Sequence, residues 1–240
     1  MQLRNGKRTM SFSETISQNL IMVFDVETTG LLPQIVKNYR TDLEKYPYII
    51  QLSYIIYDLN SNKIVYRFNN YIKLPEEIQI PEIVTQLTGI ASSKCLNEGV
   101  PIQDALISFY RDMHLCSTVV AHNYDFDKSI LQSEFKRYMY DYNFRQLCPN
   151  APVVFTPEYL FNNHIKTVCT MKLTTNLCKI PHPKFPDRPN FYKWPKLSEL
   201  HYYLFQSIPE NLHDAQVDVE ACLRCFLYLC KPIKPQPINV

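Results

Sequence analysis

Asp25 and Glu27 stand two positions apart at the end of L-I-M-V-F-D-V-E-T-T-G (20–30). Five apolar residues, Leu20 to Phe24, run into them without a break, as in a strand buried on both faces. Side chains at i and i+2 share a strand face, which sets the two carboxylates about 6–7 Å apart. They repel unless a cation lies between them, and a divalent metal is the usual answer. Thr28, Thr29 and Gly30 close the strand with two hydroxyls and a flexible backbone. Alone, such a pair reads as an acidic strand end in solvent. Residues about 100 and about 190 positions further on change that reading.

Asp125 and Asp127 compete within A-H-N-Y-D-F-D-K-S-I-L (121–131). Asp127 shares a helical stripe with Leu131, Phe135 and Tyr138, whereas Asp125 shares one with Ser129, Gln132 and Lys136, a solvent face. A carboxylate heading a core-facing stripe is costly unless paired or metal-bound, which singles out Asp127. The same test puts Asp218 on a buried stripe with Cys222, Cys225 and Leu229, and leaves Asp214 as a helix-start acid. His213 stands just outside that helix, where an imidazole can act as a general base. If one strand and two helices converge, Asp25, Glu27, Asp127 and Asp218 suit two divalent cations about 4 Å apart. That arrangement serves phosphodiester cleavage, with His213 taking the proton of the attacking water.

Residues 1–18 are polar and mixed, an expected N-terminal arm; 19–231 reads as the domain and 232–240 as a proline-rich extended tail. Residues 31–48 read as a loop. Ile49–Tyr57 and Lys63–Leu74 read as strands around an Asn/Ser turn, and 119–121 as a short strand. The spacing predicts helices over 81–87, 101–115, 124–140, 168–179, 196–205 and 213–230. An irregular insertion is expected over about 138–166, with Pro149, Pro152 and Pro157 and no helical period. This order predicts an α/β or α+β sheet covered by helices.

F-D-V-E-T-T-G-L (24–31), A-H-N-Y-D-F-D (121–127) and H-D-A-Q-V-D (213–218) resemble, in order, the three motifs of the DEDDh 3′→5′ exonucleases. This is the proofreading-exonuclease family, and the resemblance spans roughly residues 20 to 230. It implies a ribonuclease H-like α/β fold, a mixed central β-sheet flanked by helices. It implies that Asp25, Glu27, Asp127 and Asp218 hold two Mg²⁺ (or Mn²⁺) ions and that His213 is the base. Thr28, Thr29 and the Gly30–Leu31 backbone resemble the segment that meets the terminal nucleotide. Leu87 and Ile90, in L-T-G-I, resemble residues packed against the last bases, with Thr88 where the family commonly has histidine. His122 and Asn123 resemble supporting residues of the second motif. Cys169 departs from the family, where aspartate often precedes the threonine. The implied activity is release of nucleoside 5′-monophosphates from single-stranded or frayed 3′ ends of DNA or RNA. The implied partners are such 3′ ends and a polymerase or a replication or repair factor. Two alternatives stay open: an inactive nucleic-acid-binding module of the same fold, which the intact acid set disfavours, and a two-metal endonuclease, which the His–Asp spacing disfavours.

Between Lys166 and Lys196 seven basic residues face one acid, Asp187, with aromatics interleaved. Lys184, Arg188 and Lys193 are candidate phosphate contacts there, and an ordinary solvated loop is the competing reading. The net charge of +2 is uninformative, while 46% hydrophobic and 13% aromatic residues exclude a disordered chain. Four glycines, at 6, 30, 89 and 99, exclude dinucleotide and ATPase phosphate loops. Cys222 and Cys225 lack partners for a zinc site and read as core thiols. No apolar run reaches bilayer length and the N-terminus lacks a signal-peptide core, so an intracellular protein without membrane contact is expected.

Overall fold

A computed structural model of the chain describes residues 17–33 and 43–230. The expected tail, most of the expected arm and part of the 31–48 loop lie outside them. Five strands form one sheet in the order β3-β2-β1-β4-β5: β1 Ser17–Thr28, β2 Ile49–Asp58, β3 Lys63–Tyr71, β4 Cys116–Ala121 and β5 Lys166–Cys169. β1–β2 and β2–β3 pair antiparallel, and β1–β4 and β4–β5 parallel, so the sheet is mixed. In chain order the helices are α1 Glu82–Thr88, α2 Ser92–Glu98, α3 Ile102–Met113, α4 Tyr124–Arg137, α5 Tyr142–Leu147, α6 Pro157–Asn162, α7 Thr170–Cys178, α8 Leu197–Phe205 and α9 Ala215–Leu229. No helix among the described residues is long and apolar enough to cross a membrane.

β1 is central because its apolar run can be buried on both faces. Met22, Phe24 and Val26 join a core with Leu106 and Phe109 of α3 and Leu131 and Phe135 of α4. Ile21 and Val23 turn the other way, into a cluster with Val219, Cys222, Leu223 and Phe226 of α9. Phe24 is fully buried, with Phe109 edge-on to its ring at 5.3 Å. Truncating such a side chain to alanine costs about 3–5 kcal/mol. The same alternation puts Asp25 and Glu27 on the α9 side, at the carboxyl end of β1.

Two expectations are corrected. The 138–166 stretch is not irregular. Asp141 caps α5 by accepting the Phe144 N–H at 2.8 Å, and Thr156 caps α6 with Pro157 in its first turn. Phe144, Cys148, Val154 and Phe155 are buried in the main core beside Phe135, so this segment is part of the body. These helices are six residues each, too short to show a period, and their caps were the legible signal. The expected helix over 168–179 is present as α7 but starts two residues later, because Val168 and Cys169 end the strand β5. A four-residue strand within a parallel pair leaves almost no alternation to read.

Candidate active site

The parallel strands β1 and β4 end at the same edge, where α4 and α9 bring their first turns. Such a crevice at strand carboxyl ends is a common ligand position in α/β sheets. β4 passes into α4 through Asn123, whose left-handed backbone (φ 72°) makes the reversal short. Asp127 then lies in the first turn, 2% exposed, with its Oδ1 accepting the Val26 N–H at 3.4 Å. Asp125 is exposed instead and pairs with Lys172 and, at 3.6 Å, Lys128. Asp218 lies in the first turn of α9, and its Oδ2 accepts the backbone N–H of His213 at 3.2 Å. Oxygen or nitrogen donor atoms of Glu27, His213 and Asp218 all lie within 4.8 Å of one another.

The electrostatics follow from crowding acids where water is scarce. Burial, then the Asp25, Asp218 and Asp214 charges, pushes Glu27 up to about 9. Burial, with Asp218 and Asp214, holds Asp25 well above the carboxylate range; burial and Asp25 do the same to Asp127. Asp218 is pushed up to about 6 by burial, opposed by the His213 N–H bond. Among the described residues no lysine or arginine pairs with any of the four. The buried Asp218 Oδ1 has no hydrogen-bond partner among the described residues. A cluster of carboxylates with an orphaned oxygen fits a hard divalent cation. Glu27, Asp218 and the acids flanking them are the residues that could hold it.

The Thr28–Leu31 turn is fixed from behind. Thr28 is buried, and its hydroxyl donates to the Gly30 carbonyl at 2.6 Å. The Thr29 N–H donates to the Tyr48 carbonyl at 2.9 Å, and its hydroxyl accepts the Tyr48 N–H at 3.0 Å. Glu134 and Arg137, paired at 2.7 Å on α4, in turn clamp 43–49: Arg137 donates to the Leu43 and Tyr46 carbonyls and Glu134 accepts the Ile49 N–H. This leaves Leu31 projecting, 85% exposed, and Leu87 57% exposed. Ile90 is corrected: it is 2% exposed, packed with Ile50, Ile80 and Cys95, so it supports the α1 turn and offers no surface to a base. Thr88 is occupied locally, donating to the Val84 carbonyl and accepting the Ile90 N–H. Gly89 takes the left-handed turn (φ 71°) that ends α1.

The basic segment splits. Lys184 and Arg188 are exposed, whereas Lys193 is corrected: it donates to both oxygens of Glu199, which commits its charge. His122, expected only as a supporting residue, ties three segments. Its Nε2–H donates to the Pro195 carbonyl at 3.0 Å and its Nδ1 accepts from the Thr170 hydroxyl at 2.9 Å. Burial holds its pKa down to about 4, so the ring is neutral. Gln51, Glu134 and Arg137 carried no expectation from sequence; the available signal was a lone amide inside the apolar run I-I-Q-L.

The exonuclease family profile (RNase_T) matches residues 22–226. The chain belongs to this family, the DEDD-type 3′→5′ exonucleases, and has a ribonuclease H-like fold. It is 23% identical over 224 residues to a PolC-type DNA polymerase III of Mycoplasma genitalium, a match covering 93% of this chain and 12% of that one. A PolC-type relative from Caldanaerobacter subterraneus subsp. tengcongensis is 28% identical over 125 residues, 52% of this chain and 8% of the relative. Among solved structures, Escherichia coli exonuclease I in complex with a dT13 oligonucleotide superposes with a TM-score of 0.63 at 16% identity, covering 88% of this chain and 41% of that one. Exonuclease I from Methylocaldum szegediense gives 0.61 at 16% identity, over 88% and 40%. The chain thus spans about a tenth of the polymerase relatives and about two fifths of the exonuclease I chains.

Proposed function

We infer that this nuclease is a metal-dependent 3′→5′ exonuclease of the histidine (DEDDh) branch, built as one domain over 19–231. Its substrates are single-stranded or frayed 3′ ends of DNA or RNA, and its products are nucleoside 5′-monophosphates. One observation carries the reading: Glu27, His213 and Asp218 approach within 4.8 Å beside two further acids, the half-buried Asp25 and the buried Asp127, and among the described residues no lysine or arginine pairs with them. Two Mg²⁺ or Mn²⁺ ions held by Asp25, Glu27, Asp127 and Asp218 would supply Lewis-acid stabilisation of charge at the scissile phosphate. The His213 ring, exposed and adjacent to these acids, takes a proton from water. The water oxygen bonds to phosphorus, and the bond to the 3′-oxygen of the penultimate nucleotide breaks. That oxygen leaves with a proton from solvent.

The Thr28–Leu31 turn seats the terminal nucleotide, and the projecting Leu31 and Leu87 offer apolar contact to its base. Asn123 shapes the turn that carries Asp127. Lys184 and Arg188 contact phosphates further along the strand. The oligonucleotide in the exonuclease I structure supports a single-stranded substrate, and the PolC-type relatives support work beside a polymerase. A 5′-end-labelled oligonucleotide with Mg²⁺ or Mn²⁺ tests the reading. Stepwise shortening with release of 5′-mononucleotides supports it. Internal cuts indicate an endonuclease, and no products an inactive binding module.

A further inference from the structure

Gln51 sits on β2 directly across from Glu27 in the strand register, so the two side chains share the α9 face. It is 0% exposed, a full amide buried in an otherwise apolar run. Two of its side-chain hydrogen bonds reach the start of α9 and a third reaches β3. Its Nε2 donates to Asp214 Oδ1 at 3.1 Å and to Asn69 Oδ1 at 3.0 Å, and its Oε1 accepts the Ala215 N–H at 3.1 Å. Only one orientation of the amide satisfies a carboxylate and an N–H together, so the assignment is fixed by its neighbours. Asn69 extends the ladder by donating to Gln216 Oε1 at 2.8 Å, and Arg67 adds an exposed pair with Glu220.

Beyond its first turn α9 docks through Val219, Cys222, Leu223 and Phe226, contacts without direction. Its first turn docks through hydrogen bonds, which have direction and so fix the helix's rotation as well as its distance. His213 immediately precedes that turn in a left-handed backbone (φ 75°), a state that persists in a non-glycine residue only when its surroundings over-determine it. On one side the restraint is its N–H bond to Asp218; on the other it is Asp214 and Ala215, both gripped by Gln51.

We propose that Gln51 is the positioning residue for His213: it holds the Asp214–Ala215 helix start so that the imidazole stays over Glu27. This rests on His213 being the general base, and the experiment separates the two. Single-turnover and steady-state rates on a labelled oligonucleotide are measured for wild type, Gln51→Met, His213→Ala and the double variant. Displacing a catalytic group by about an ångström costs up to about 100-fold. Gln51→Met is therefore expected to lower kcat by about 10- to 100-fold with KM within about twofold, and to add less than about twofold in the His213→Ala background. Ala215 amide hydrogen exchange speeds up in Gln51→Met without metal or substrate present. Should Gln51→Met fail to fold, Gln51→Glu replaces it, since it keeps an acceptor for Ala215 but faces the Asp214 carboxylate. Wild-type kcat in the Gln51 variant, or an undiminished loss in the His213→Ala background, overturns the positioning role while leaving the base standing. A fully active His213→Ala overturns both.

Discussion

The backbone N–H of His213 donates to Asp218 Oδ2 at 3.2 Å, joining the proposed base to a proposed metal ligand one helical turn away. The bond uses the His213 backbone rather than its ring and occupies one Asp218 oxygen, while the other, Oδ1, is buried without a hydrogen-bond partner among the described residues. The polar start of α9 is thereby organised around an atom that wants a cation, and β1 supplies Asp25 and Glu27, and α4 supplies Asp127, as the other acids.

Asp127→Asn separates charge from geometry. The amide oxygen can still accept the Val26 N–H, while a carboxylate held far above its ordinary range by burial and Asp25 is gone. The variant is expected to lose more than about 1,000-fold in exonuclease rate and yet melt at or above the wild-type temperature without metal, because a destabilising site group has been removed. Asp125→Ala, which breaks only exposed pairs to Lys172 and Lys128, stays within about threefold of wild type. An active Asp127→Asn beside a dead Asp125→Ala would reverse the assignment.

Metal-free stability should fall as pH rises. Glu27 and Asp218 have folded-state pKa values raised from 4.5 to about 9 and from 3.8 to about 6, so the folded state holds more protons than the unfolded chain across those windows. Their stabilising contribution is complete below the unfolded values and is lost as pH climbs through about 6 for Asp218 and about 9 for Glu27. Tm in chelator is expected to drop between about pH 5.5 and about pH 8.5, and Glu27→Gln to flatten the drop. Millimolar Mg²⁺ restores Tm most at the higher pH, where the acids are free to bind it. A wild-type slope matching that of Glu27→Gln contradicts the account.

The three basic candidates should divide by function. Lys184→Ala with Arg188→Ala is expected to weaken single-strand binding and reduce the salt slope by roughly 1.4, about 0.7 per phosphate contact. Lys193→Ala breaks the bidentate contact to Glu199, so its effect falls on stability, with the salt slope unchanged. Fluorescence anisotropy at several salt concentrations, beside a melting curve, distinguishes them.

The acids were legible because burial of charge leaves a pattern. Asp127 heads a stripe with Leu131 and Phe135, both buried in the structure, and Asp125 falls on the exposed side. The central strand was legible for the same reason, as its apolar run meets two cores. What escaped depends on tertiary partners. Gln51 and Glu134 look like ordinary polar residues until Asp214, Ala215, Ile49 and Arg137 are brought to them. Ile90 and Lys193 were misjudged for the converse reason: composition does not say that Ile90 is covered by Ile50 or that Glu199 takes up the lysine's charge. α5 and α6 were signalled only by their caps, Asp141 and Thr156.

The central claim is that the four acids form a divalent-metal site serving hydrolysis with His213 as its base. Calorimetric titration of Mn²⁺ into wild type, Asp127→Asn and His213→Ala, each with a nucleoside 5′-monophosphate present, tests it most directly. The account predicts two ions bound by wild type, at least about tenfold weaker binding by Asp127→Asn, and near-wild-type binding by a His213→Ala variant whose turnover is strongly reduced. No Mn²⁺ binding by wild type, or equal binding by Asp127→Asn, contradicts it.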